Sequence, residues 1–174
     1  MTKMIGKLIA TAALAAFSVT SANAACWSPA SVSAAKVRDF EAMLRSASVR
    51  CGKEAPEVKA AYTKFVTLSR PAFAEANKMV RAHFAADNGL VGSFSAYNTF
   101  LTSVTTSYDP GVSRLDCADF GAFVNAANVE GGAFAVIARL ADEAGASPTL
   151  VGQRCSNRMA APRTVAMQQV AVNK

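Results

Sequence analysis

The chain has a single histidine, His83, and four cysteines, Cys26, Cys51, Cys117 and Cys155, no two of them close enough to form a CxxC pair. Cys/His metal knuckles need closely spaced ligands and c-type haem needs CxxCH, so no metal and no cofactor are implied. Any Ser-His-Asp chemistry would have to pass through His83. Aromatic residues are 8% of the chain and are not interleaved with its cations, which argues against nucleic acid as a partner. No stretch carries a convincing strand alternation. No apolar run reaches the roughly 20 residues that a bilayer-spanning helix needs.

What is present begins with a leader. "MTKMIGKLIATAALAAFSVTSANA" has Lys3 and Lys7 at its head, an apolar run from Leu8 to Val19, and then small and polar residues. This is the form of a secretory signal peptide, with cleavage expected between Ala24 and Ala25 after "Ala-Asn-Ala". Cys26 lies two residues further on, which raises the alternative of a lipid-bearing cysteine. Lipoprotein leaders usually carry Leu three places before that cysteine, and here the place holds Asn23. Lipidation would also strand one of the other three cysteines. Export and an even cysteine set agree on a periplasmic or secreted protein held by two disulfides.

The segment after the leader is about 150 residues, enough for one domain with its own core. Residues 25–155 read as a helical domain and 156–174, which has no stable period, as a basic and disordered tail. Charge is unevenly spread. Ala25 to Arg81 holds ten basic and five acidic residues, Ala82 to Gly152 two basic and seven acidic, and the remainder adds Arg154, Arg158, Arg163 and Lys174. The plainer reading is that the first two segments face each other with complementary fields. The sharper one is a basic face for an anionic polymer or lipid headgroups of the cell envelope.

Apolar spacing predicts an all-α, single-domain bundle of about five helices joined by short loops. The first carries Val37, Phe40, Leu44 and Ala47, capped by Ser31 or Ser33 and ended by Gly52. The second starts at Pro56 and carries Val58, Tyr62, Phe65 and Leu68, then Phe73, Ala76, Val80 and Phe84. Pro71 between those stripes should kink it or split it into two in line, and Asp87-Asn88-Gly89 should stop it. The third, capped by Ser95, carries Tyr97, Phe100, Leu101, Val104 and Tyr108 up to Asp109-Pro110-Gly111. The fourth opens near Ser113 and Asp116, buries Cys117, Phe120, Val124 and Ala127, and breaks at Gly131-Gly132. A short apolar helix ends at Gly145, and a further turn after Ser147-Pro148 is expected to carry Cys155.

Catalytic constellations are thin. His83 falls beside the Val80–Phe84 stripe and reads first as a packing histidine. Asp116 and Asp119 suit a helix start, where they complement its dipole. Glu41, Glu54, Glu57, Glu75 and Glu130 offer carboxylates for glycosidic cleavage, but no motif singles one out. "GLVGSF" lacks the lysine of a phosphate loop. Met43 and Met79 are core-type. Trp27 and Pro29 are placed to cap one end of the bundle, the alternative for Trp27 being an exposed contact. The reading is an exported, non-enzymatic helical protein acting through surface contacts with an envelope protein or anionic polymer, with no transmembrane segment after processing. The alternative is an envelope enzyme, such as a glycan-cleaving hydrolase using a Glu.

The stretch "ACWSPASVSAAKVRDFEAMLRSASVRC", with "AYTKFV", "AHF" and "AYNTFLTS" after it, resembles a group of small exported α-helical proteins of alphaproteobacteria. The resemblance covers roughly residues 25–120. It implies an exported helical protein and carries over no catalytic residue and no ligand.

Four cysteines allow three pairings. A helix over 33–50 separates its ends by about 26 Å, whereas bridged Cα atoms lie within roughly 7 Å, which disfavours Cys26–Cys51. An up-and-down path brings the fourth helix back to the Cys51 end, giving Cys51–Cys117 and Cys26–Cys155. A sharp bend at Pro71 would favour Cys26–Cys117 and Cys51–Cys155. Mass spectrometry of exported material should find Ala25 at the N-terminus and no acyl mass; a diacylglyceryl adduct on Cys26 would overturn the disulfide assignment of that residue.

Overall fold

The computed structural model describes residues 26–53, 56–108 and 115–155. The signal peptide, the cleavage site, Glu54, Asp109-Pro110-Gly111, Ser113 and the basic tail lie outside the described residues. Among the described residues the chain is helical, with no strand beyond one isolated parallel bridge between Trp27 and Arg154.

Helix α1 spans Pro29–Cys51. It starts earlier than the serines at 31 and 33 suggest. Ser28 is the N-cap, its Oγ accepting from the Ser31 N–H at 3.1 Å, and Pro29 occupies the first helical position, where its missing N–H costs nothing. Val37, Phe40, Leu44 and Ala47 are all buried, as their spacing predicts. Gly52 ends the helix.

Helix α2 spans Pro56–Thr106 and is the main departure from the five-helix expectation. Its only non-helical residue is Gly89, at φ 66° and ψ −179°. Such a backbone is open to glycine and closed to side chains. The helices expected before and after Asp87-Asn88-Gly89 are therefore two arms of one element, 56–88 and 90–106, with no loop between them. The second arm begins at once, so Ser95 lies inside it and caps nothing. Pro71 does not split the first arm: its ring is exposed, and the backbone stays helical through it. The buried stripe passes from Phe65 to Ser69, Ala72 and Ala76, which turns Leu68 partly outward, against expectation.

Helix α3 spans Cys117–Glu130, with Asp116 as N-cap and Gly131 as left-handed C-cap; helix α4 spans Phe134–Glu143. Four helical elements result among the described residues, α2 being two helical arms that meet at Gly89. The turn expected after Pro148 is absent: residues 146–155 run without helix back to the start of the chain. There the Trp27 N–H donates to Gln153 O at 2.8 Å and the Cys155 N–H to Trp27 O at 2.9 Å. Those backbone groups are satisfied by the N-terminal segment, so no helical turn is needed to satisfy them.

The path is up and down. The first arm of α2 returns along α1 to bring His83 and Phe84 to Trp27. The second arm descends until Tyr108 meets α1, its carbonyl accepting from Ser46 Oγ. Helix α3 then starts beside the end of α1, where Cys51 bonds Cys117 with Cα atoms 5.5 Å apart. Cys26 bonds Cys155, Cα atoms 4.9 Å apart, across 129 residues of chain. Both disulfides follow the up-and-down path.

Between α3 and α4, Gly132 lies against the α2 backbone just before Pro71. It has φ 59°, and a Cβ there would stand 2.9 Å from the Leu68 carbonyl carbon and from Ser69 Oγ. Gly121, inside α3, has no such neighbour. Gly132→Ala should therefore destabilise by more than about 1 kcal/mol, while Gly121→Ala should stabilise by about 0.5–1 kcal/mol. Denaturant midpoints test the pair, and equal effects would contradict the close approach at Gly132.

Candidate functional site

The end of the bundle that holds Trp27 gathers most of the chemistry the sequence singled out. Trp27 is 1% exposed, so it is a core residue and not an open contact. Its indole N–H donates to Val151 O at 2.8 Å, satisfying the one polar group the ring would otherwise bury unpaired. His83, from the first arm of α2, stacks on it with ring centroids 3.7 Å apart. Phe84 meets the indole edge-on at 5.6 Å, and Phe100, from the second arm, lies 6.2 Å away.

His83 is 6% exposed. Burial pushes its pKa below the ordinary value, and Asp87, one helical turn on, opposes that in part. A neutral imidazole against an indole is a packing element. No hydrogen bond from His83 to a serine, threonine or cysteine is present among the described residues.

Beside this cluster an open cavity of about 280 Å³ is bordered by Trp27, Val32, Lys36, Asp142 and Arg154. Two of its three charged side chains pair with each other, Lys36 Nζ lying 2.6 Å from Asp142 Oδ1; Arg154 is the third. A second, more open depression of about 580 Å³ runs from Phe94 to Thr106 and has no charged residue among its described lining.

The carboxylates remain dispersed. Glu41 pairs with Arg38, and Glu130 with Arg139, which also holds Glu143 at 2.5 Å. Glu57 and Glu75 are exposed on α2. No glutamate borders either cavity among the described residues. Asp116 caps α3, its Oδ1 accepting from the Asp119 N–H at 2.8 Å. Met43 is buried and Met79 half-buried, as core methionines are. Among the described residues no group of three His, Cys, Asp or Glu side chains could hold a metal ion.

The buried carboxylate is one that apolar spacing did not single out. Asp39, on the inner face of α1, is 2% exposed. Its Oδ2 accepts from Tyr108 OH at 2.9 Å and from the Ser147 N–H at 2.8 Å. It joins α1 to the end of α2 and to the segment after α4, and is a structural clasp. The signal was there: Asp39 falls at i+4 from Ala35 and i−4 from Met43, both core residues.

The other missed pattern is cationic. Only Lys36–Asp142, of the salt bridges among the described residues, joins the basic first segment to the acidic second. The complementary fields that charge counting suggested are therefore realised by one pair. Lys59, Arg70 and Arg81 recur at an 11-residue spacing along the first arm of α2, and Lys64 and Lys78 flank them; all five are exposed. Eleven residues are close to three turns, which aligns the first three within about 40° over about 33 Å of helix. None of the five takes part in those salt bridges. The Arg81 guanidinium sits 4.6 Å over the Tyr97 ring.

No protein-family model matches the chain, and no curated protein or solved structure is significantly similar to it. Its own residues therefore carry the functional reading.

The depressed His83 pKa has a consequence for stability. Above the unfolded value of about 6.5 both states are neutral and stability is at its full level; below it the unfolded chain takes up the proton first. Stability should fall as pH drops from about 6.5 through the lower folded pKa, and His83→Phe should flatten that dependence while keeping the stack on Trp27. Urea midpoints between about pH 7 and pH 5 would show it, and equal slopes for both proteins would count against a buried neutral histidine.

Proposed function

We propose that the chain is an exported, non-enzymatic helical protein that binds an anionic polymer of the cell envelope through the cationic arm of α2. The observation that carries this reading is the row of Lys59, Arg70 and Arg81, exposed along one side of a helical arm, with Lys64 and Lys78 exposed on the adjoining face and all five outside the salt bridges. Regularly spaced cations on a rigid rod match a polymer with repeating anionic groups, and they do so without a pocket. The two disulfides suit an oxidising compartment. No helix among the described residues is long and apolar enough to cross a membrane.

Binding of this kind releases counterions and must weaken steeply with salt. Lys59→Gln, Arg70→Gln and Lys78→Gln together should lower the salt concentration at which the protein leaves a phosphorylated-glycan resin, with the helical circular-dichroism signal unchanged. Arg81 is kept because it packs on Tyr97. Unchanged elution by the triple variant, or release of reducing ends from the glycan by the wild type, would overturn the reading.

A further inference from the structure

The tip of the α2 hairpin carries an apolar patch that the cationic arm does not use. Leu90 is 89% exposed, Val91 95% and Phe94 69%. Side chains that exposed make little contact with the described fold. At 100° per residue the three share one side of the first turn of the second arm. The glycine geometry at Gly89 is what presents them: the chain reverses there with no loop to cover them. From Asn88 to Tyr108 the sequence has no charged residue, so the second arm brings no ion into an apolar layer.

We propose that this tip is a membrane-contact element that inserts Leu90, Val91 and Phe94 into the interfacial layer of a lipid bilayer. The patch amounts to on the order of 400 Å², about half of what one partner contributes to a stable protein–protein interface. Insertion into a bilayer sets no such minimum area. Interfacial elements sink about 5–10 Å into the boundary between headgroups and acyl chains. Arg81 lies eight residues behind Gly89, about 12 Å along the arm, which sets its exposed guanidinium at the level of headgroup phosphates when the tip is buried. Lys78 follows one turn further back. Asp87, two residues before Gly89, is the acid nearest the tip and limits how deep the tip can sink.

The proposal is independent of polymer binding and is tested separately from it. Phe94→Trp places a fluorophore at the tip, and the native tryptophan, Trp27, is buried and serves as a constant background. With vesicles of phosphatidylethanolamine and phosphatidylglycerol at three to one (roughly a bacterial-type anionic surface), emission from the introduced indole should shift to the blue and be quenched by brominated acyl chains. Leu90→Ser with Val91→Ser in the same chain should cut vesicle partitioning by about tenfold and leave elution from the phosphorylated-glycan resin unchanged. Val91→Glu alone, at the most exposed position, gives a second variant that leaves the core untouched. An emission spectrum indifferent to vesicles would overturn the proposal. So would partitioning that the serine and glutamate variants retain in full, or a wild-type dimer in solution that those variants lose, which would assign the patch to a second copy of the chain.

Discussion

The structure depends on Trp27. Its backbone holds both backbone hydrogen bonds that tie the last described segment to the first, and its indole N–H adds a third bond, to a second carbonyl of that segment. Its ring is the surface on which both arms of α2 converge through His83, Phe84 and Phe100. The adjacent Cys26–Cys155 bond makes the closure covalent. In the chain-entropy account a loop of that length contributes roughly 5 kcal/mol against the unfolded state, and losing a buried tryptophan costs about 3–5 kcal/mol. These are not additive, since the disulfide and the ring hold the same two segments together. The residues after α4 have no helix of their own, and Trp27 supplies the partners that keep them ordered.

A second constraint sits at the middle of α1. Burying Asp39 would be costly without partners, but Tyr108 and the Ser147 N–H converge on it from two elements far apart in sequence. The carboxylate therefore specifies where the end of α2 and the segment after α4 must lie relative to α1. A neighbouring charge is also held by a partner: Arg38 pairs with Glu41, half-buried beside it. Burial lowers the arginine's pKa, and nearby Tyr97 opposes that in part; its guanidinium remains charged at any physiological pH.

The polar chemistry of the molecule either holds it together or faces outward. The lone histidine is a stacking partner, the acidic cap at Asp116 closes a helix end, and the glutamates are dispersed. What stays uncommitted is surface: a cationic side on one arm of α2 and an apolar tip where the arms meet. Both follow from α2 being one long element reversed at a glycine. A loop at 87–95 would have shortened the arm and covered the tip.

Local chemistry made the helical class legible from the sequence. The 3.6-residue spacing of Val37, Phe40, Leu44 and Ala47 and of Phe120, Val124 and Ala127 places those residues inside, and Gly52, Pro56, Asp116 and Gly131 mark helix ends because their backbone or side-chain requirements are local. Of the disulfide pairings, helix length disfavours only Cys26–Cys51; the choice between the other two turned on the course of the chain through Pro71, which follows the up-and-down path. The choice of Ser28 over Ser31, the passage of α2 through Pro71, and the missing loop after Gly89 were decided by packing, because a proline with its ring in solvent and a glycine at positive φ each permit more than one path. Above all, only the tertiary structure decided the fate of Asp39, Trp27 and residues 146–155. Their partners lie more than 60 residues away, and no periodicity in a sequence reports a hydrogen bond made across that distance.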